Sequence, residues 1–145
     1  MSVDLANIKI ATTEDFAACM AVRIAVFVKE QGVPAELEND AFDAGARHLL
    51  ATRDGRPVGT ARVMREGATG KIGRVCVLKE LRGTGLGLAL MQAALDELHA
   101  IGGIERVQLG AQTSALPFYA RLGFAPCGEE FDSVGIPHVM MERTL

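Results

Sequence analysis

At 145 residues and a net charge of −3, the chain is long enough to bury roughly 70% of its unfolded surface and lacks the basic excess of a general nucleic-acid binder. Apolar residues make up 49%, yet no run approaches the ~18 consecutive apolar positions of a membrane span. The opening "MSVDLANIKIATTEDF" lacks the basic-then-apolar order of a secretory signal, and Cys19, Cys76 and Cys127, an odd number with no CxxC pair, suit a reduced cytoplasmic setting.

No repeat or linker interrupts the chain, so residues 1–145 read as a single domain. "LANIKIAT" predicts a first strand. Thr12 or Thr13 then caps a helix, with Glu14 and Asp15 in its first turn and Phe16, Met20, Ile24 and Phe27 along one stripe. "QGVPAELENDAFDAGA" follows as a long acidic loop, of the kind that more often serves function than mere connection. "RHLLATRDGRPVGTARVMREGATGKIGRVCV" predicts a three-stranded antiparallel meander, with a tight turn at Asp54-Gly55 and a looser one at "REGATG". Residues 85–101 predict a helix with Leu88, Met91, Ala94, Leu95 and Leu98 inward, stopped by Gly102-Gly103. "ERVQLGA" is a strand. "SALPFYARLGF" is a short helix with Ser114 as cap, Pro117 in the first turn and Gly123 as the stop. "GFAPCGEEF" and "PHVMMERTL" supply closing strands. A helix crossing back over the sheet makes the next strand parallel to its predecessor, so the class is α/β with a mixed sheet flanked by helices.

Between the meander and the long helix stands "RGTGLG". A helix N-terminus carries unpaired N–H groups and a partial positive charge, and glycines there remove the Cβ atoms that would hold a ligand away. Such a turn attracts phosphate; Arg82 adds a charge and Thr84 a hydroxyl. The spacing Gly83, Gly85, Gly87 is not the dinucleotide G-x-G-x-x-G, and the G-K-S/T of a Walker loop is absent.

R-G-x-G-x-G after a V-x-V strand resembles the acyl-CoA motif R/Q-x-x-G-x-G/A of the GNAT N-acetyltransferases, filled here by Arg82, Gly85 and Gly87. "AQTSALPFYARLGF" resembles that family's second landmark, N-x-x-A-x-x-F-Y-x-x-x-G-F, matched at Ala115, Phe118, Tyr119, Gly123 and Phe124, with Gln112 at the usual Asn position. "FVKEQGVP", "RHLLA", "LGAQ" and "GIPH" resemble the ElaA-like branch. The resemblance implies a central twisted sheet of six to seven strands, splayed at a parallel pair. It also implies acetyl-CoA as cosubstrate, with direct attack by a primary amine in a ternary complex. Backbone groups of Val75, Cys76 and Val77 would hold the pantetheine arm, and residues Gly83, Thr84, Gly85, Leu86, Gly87 and Leu88 the diphosphate. Arg82, Gln112 and Phe118 complete that set, and Tyr119 would protonate the departing thiolate.

The base is less defined, because "KIGRVCV" carries no carboxylate where many relatives place a glutamate. Glu30, at the end of the first helix, is the best alternative; His48 and His138 titrate in the useful range, although the plainer reading of all three is structural. His99 reads as a helix-end charge, and the histidines have no metal-ligand spacing, so no metal is expected. Acyl transfer through Cys76 would need a thiolate and a base that the sequence does not show. Glu36, Glu38, Asp40 and Asp43 of the acidic loop would attract a cationic amine, small or on a peptide or protein. Neither nucleic acid nor membrane is expected as a partner, and a homodimer stays open. The alternative is a CoA-binding or interaction domain that keeps the fold without turnover.

Overall fold

The predicted meander forms the middle of the sheet. In the computed structural model, which describes residues 7–35 and 40–145, β2 (Arg47–Arg53) and β3 (Arg56–Glu66) are joined by Asp54-Gly55. Both turn residues have positive φ, 51° and 82°, the geometry whose twist matches that of the flanking strands. Gly67-Ala68 then leads into β4 (Thr69–Val77), a tighter turn than the loose one expected. Outside β2 lies β1 (Ile8–Thr13), and β5 (Arg106–Gln112) runs parallel to β4, as the crossover requires.

Beyond β5 the antiparallel β8 (Ile136–Thr144) carries two short pieces, β6 (Ala125–Pro126) and β7 (Phe131–Ser133). The sheet order is β1-β2-β3-β4-β5-β8-β6, with β7 also paired to β8. Among the described residues eight strands therefore stand where six to seven were expected, because residues 123–133 supply the two fragments β6 and β7 in place of one strand.

Among the described residues, three helices flank the sheet. α1 (Phe16–Arg23) is capped by Asp15, whose carboxylate accepts from the Ala18 amide at 3.1 Å. Thr13 is not the cap; its hydroxyl accepts from the Asp15 amide at 3.0 Å and steadies the turn ahead. The helix widens into a π-helical segment over Ile24–Glu30, which rotates the predicted stripe. Cys19, Val22, Arg23 and Val26 are buried, and Phe16, Met20, Ile24 and Phe27 are only half-buried.

α2 (Leu86–Ile101) buries Leu86, Leu90, Met91, Ala94, Leu95 and Leu98 against the sheet. Each of the larger side chains contributes roughly 1.5–3 kcal/mol by leaving water. Leu88 is instead 50% exposed, a departure from the predicted stripe that frees the first turn of the helix. Glycine in the strands lets α2 approach closely: a Cβ at Gly70 would lie 2.8 Å from Leu98, and one at Gly59 2.8 Å from Leu90. α3 (Leu116–Ala120) follows a 3-10 turn, Thr113–Ala115. Ala115, not Ser114, occupies its cap position, and Pro117 sits in the first turn as expected. No helix among the described residues is long and apolar enough to cross a membrane.

Candidate active site

β4 and β5 part company in mid-sheet. They pair only at Thr69↔Arg106, Gly70↔Val107 and Lys71↔Gln108. Past Lys71, β4 keeps β3 on one side and has lost β5 on the other. A bulge adds to the divergence: Arg62 pairs with Gly73 and Thr60 with Cys76, so Arg74 and Val75 oppose Ala61 alone. Arg74 takes φ 52°, and such a bulge bends its strand and interrupts the ladder. The gap is a cleft of about 670 Å³, whose walls include Val75, Cys76, Val77, Arg82, Gly87, Gln112, Phe118 and Tyr119. Of the twelve cofactor-binding and two catalytic candidates read from the sequence, these eight meet on one cleft, drawn from β4, the glycine turn, α2, β5 and α3.

At the mouth of the cleft is the glycine turn. Gly85 is left-handed, at φ 95°, and takes the cap position of α2, a conformation that a residue with Cβ adopts only under strain. The first bond of the helix runs from the Ala89 amide to the Gly85 carbonyl. Amides of Gly87 and Leu88 precede it and have no partner within the helix. Leu86 roots the turn in the core, and its amide donates to the Thr84 hydroxyl at 3.3 Å. That hydroxyl donates to the Leu81 carbonyl at 2.6 Å, so Thr84 builds the turn instead of extending a free group from it. A Cβ at Gly87 would touch the Phe118 ring at 3.5 Å, which puts the second sequence landmark directly over the first.

A splayed parallel pair beside a glycine-capped helix is the architecture that the two landmarks implied. A model of the acetyltransferase (GNAT) domain matches residues 12–145. The chain belongs to the GNAT acetyltransferase family.

Within GNAT, the uncharacterised N-acetyltransferase YjcF of Bacillus subtilis is 43% identical over 123 residues, covering 84% of this chain and 87% of its own. ElaA of Escherichia coli is 35% identical over 130 residues, 87% of this chain and 85% of its own. The crystal structure of Escherichia coli ElaA superposes with a TM-score of 0.84 at 31% identity, covering 94% of this chain and 99% of that one. An acyl-CoA N-acyltransferase from Pseudomonas aeruginosa gives 0.85 at 30% identity, with the same coverage of 94% and 99%. These likenesses place the chain in the ElaA-like branch of GNAT.

Tyr119 packs edge-on against Phe118 and Phe124, with ring centroids 5.0 and 6.1 Å away. Burial, reinforced by the neighbouring Cys76 sulfur, pushes its phenol up to about 12, so it keeps its proton at neutral pH. Cys76 points to the α1 face among Val22 and Val26, whereas Val75 and Val77 pack on the α2 face, as strand alternation predicts.

Two residues assigned separate roles by sequence are joined. Arg82 Nη2 donates to Glu30 Oε1 at 2.6 Å, and Nη1 pairs with Glu30 Oε2. Arg82 also donates to the Val77 carbonyl, from Nε at 3.3 Å and Nη2 at 3.2 Å, occupying a backbone acceptor at the end of β4. The bonded Arg82 guanidinium holds the Glu30 carboxyl below the usual range, which weakens it as a base, and Glu30 does not line the cleft. Next door, Gln112 Nε2 donates to Gln31 Oε1 at 2.9 Å, so its amide bridges β5 to the end of the π-helical segment.

The histidines separate cleanly. His48 is buried under Phe16, with Nε2 3.0 Å from the Asp43 carbonyl, and is structural. His99 is an exposed residue in the last turn of α2. His138 lines the cleft, stacked on Phe131 at 5.7 Å. Its Nδ1 lies 2.7 Å from the Ile136 carbonyl. A carbonyl only accepts, so Nδ1 carries the hydrogen and Nε2 of the neutral ring is left as the proton acceptor. Sequence alone offered no reason to prefer this histidine, since only the pairing of β8 with β5 and β7 puts it on the cleft wall. Among the described residues no group of three or more His, Cys, Asp or Glu side chains is arranged to hold a metal.

The acidic loop behaves differently from expectation. Glu36 and Glu38 lie outside the described residues. Asp43 is buried and accepts from Arg23 Nη1 at 2.9 Å and Nη2 at 3.1 Å, from Arg62 at 3.2 Å and from the Asp40 amide at 3.0 Å. Asp40 accepts from Arg62 at 2.7 Å and Arg74 at 3.1 Å. Neither acid faces the cleft. Burial alone would raise the Asp43 carboxyl, but the Arg23 and Arg62 bonds and the Asp40 amide outweigh it and bring it down to about 2.

Proposed function

We propose that the chain moves an acetyl group from acetyl-CoA to a primary amine by direct attack within a ternary complex. The observation that carries this reading is the open edge of β4 past Lys71, facing Tyr119 across the cleft. Backbone groups of Ile72 to Val77 on that side are positioned to pair with an extended amide-containing chain, as an added strand would. The amides of Gly87 and Leu88, with Arg82, form the cationic mouth suited to a diphosphate. The residues present therefore fit CoA.

Acetyl-CoA, when bound, supplies the acetyl group as a thioester. His138 Nε2 takes the proton that the attacking amine gives up. Tyr119 donates its phenolic hydrogen to the departing sulfur, whose basicity is itself raised by exclusion from water. Amides at the bulge of β4 favour the negative charge that develops on the acetyl oxygen. One proton leaves the amine and one reaches the sulfur, so the chain ends each cycle as it began once Tyr119 and His138 exchange with solvent. His138 replaces Glu30 as the base in this reading, because Glu30 is engaged by Arg82 away from the cleft. The same reading treats residues 1–145 as one domain acting in the cytoplasm, where its free cysteines stay reduced.

The test follows free-thiol release from acetyl-CoA against a panel of amines, beside a CoA titration. Amine-dependent release supports transfer. Tight CoA binding without release from any amine would favour the binding-module alternative.

A further inference from the structure

Four cationic side chains line the cleft, Arg62, Lys71, Arg74 and Arg82, and among the described residues no carboxylate does. In a chain of net charge −3 this is a local reversal of sign. Arg82 belongs to the glycine turn. The other three stand together where β4 and β5 separate: Lys71 is the last residue of β4 paired to β5, Arg62 pairs with Gly73, and Arg74 is next along the bulge. Among the described residues, the acidic partners of these three are placed elsewhere. Asp40 and Asp43 hold Arg62 and Arg74 without lining the cleft, and Lys71 reaches the exposed Glu66 at 2.6 Å.

Arg62 carries the argument. Its side chain is only 7% exposed, and a single nitrogen, Nη1, serves both aspartates. Its buried Nε–H has no acceptor. Native proteins seldom leave a buried donor unmet without a use for it, and a planar guanidinium held by two aspartates is already ordered for a planar anion. The same aspartates oppose a dianion more strongly than a monoanion, which favours carboxylate over phosphate.

Building on the transferase reading, we propose that the acceptor is an amine that also bears a carboxylate, held by Arg62 and Arg74 while its nitrogen faces the thioester. The expected cationic-amine attraction by the acidic loop gives way to recognition of an acid group.

The experiment measures thiol release by the wild-type protein with α-, β- and γ-amino acids, each beside its carboxamide and decarboxylated counterpart, and with O-phosphoethanolamine. The acids should exceed their neutral partners in kcat/KM by roughly 10- to 150-fold, the worth of a hydrogen bond to a charged group. Arg74→Gln, at a part-exposed position, should collapse that ratio toward one, and Arg62→Lys should lower it while leaving KM for acetyl-CoA unmoved. Equal turnover of acids and neutral amines by the wild type would overturn the carboxylate inference and leave acetyl transfer standing. Preference for O-phosphoethanolamine over every carboxylate would overturn the choice of anion. CoA binding with no thiol release from any amine would overturn the transferase reading and this inference with it.

Discussion

Replacing Asp43 by Asn probes the arginine–aspartate cluster where it is most buried. The carboxylate accepts four hydrogen bonds: Oδ1 takes Arg23 Nη1 and Arg62 Nη1, and Oδ2 takes Arg23 Nη2 and the Asp40 amide. Asn keeps one acceptor oxygen and turns an NH2 group toward the donors that Oδ2 or Oδ1 had served. Arg23, 1% exposed, then loses the charge of this carboxylate. The fall of the Asp43 carboxyl from 3.8 to about 2 corresponds to ~2.4 kcal/mol of preference for the charged form at neutral pH. Removing one partner of a buried pair generally costs about 3–5 kcal/mol. A loss of ~3 kcal/mol at pH 7 is therefore expected, a fall in Tm of about 10 °C given roughly 2.1 cal/mol/K of unfolding entropy per residue. The folded-state value lies below the unfolded one, so this stabilisation is complete above the ordinary carboxylate range and is lost as pH falls toward 2. Urea unfolding of both proteins at pH 7, 5 and 3 measures it, provided each transition stays cooperative. The gap should be full at pH 7 and 5 and should shrink at pH 3. A gap below about 1 kcal/mol at pH 7, or one that does not narrow in acid, would show that the cluster is not the charged, buried unit described.

The remaining expectations concern chemistry. Tyr119→Phe should lower turnover by about 10²- to 10⁴-fold with CoA affinity intact, and unchanged turnover would remove Tyr119 from the acid role. The chain has one tyrosine, so tyrosinate absorbance reports it directly: the midpoint should fall near 12, and one near 10 would mean a solvated ring. Because that value is raised above the unfolded one, any stability that Tyr119 contributes through it is present below pH 10 and fades as pH rises toward 12. His138→Gln should cost turnover, whereas Glu30→Gln should preserve it and, by freeing Arg82, tighten CoA binding by up to about fivefold, the scale of an exposed ion pair. The opposite pattern in stopped-flow and titration would restore Glu30 as the base. Gly85→Val should abolish CoA binding in calorimetry, since φ 95° at the cap of α2 strains any residue with a Cβ and a branched side chain there would obstruct a ligand's approach to the turn; normal binding would place the diphosphate elsewhere.

What the sequence could carry by itself was local. Asp54-Gly55 specified its hairpin because two adjacent residues must take positive φ there, and "RGTGLG" specified a helix start with a left-handed cap because only glycine takes φ 95° there without strain. The order of strands and helices followed from periodicity, and the parallel pairing of β4 with β5 from the handed crossover. Tyr119 was legible because its landmark is contiguous. The folded chain alone decided which charges meet. Arg23 finds Asp43 at 20 residues' separation, Arg82 finds Glu30 at 52, and Gln112 finds Gln31 at 81. Nothing in the period of α1 marks Arg23 as buried, since a stripe counts apolar residues and an ion-paired arginine is invisible to it. His138 likewise reaches the cleft wall, stacked on Phe131, only because β7 pairs with β8. Backbone dihedrals and side-chain periods are properties of neighbouring residues, whereas the pairing of buried charges is set by the three-dimensional cavity in which water no longer competes.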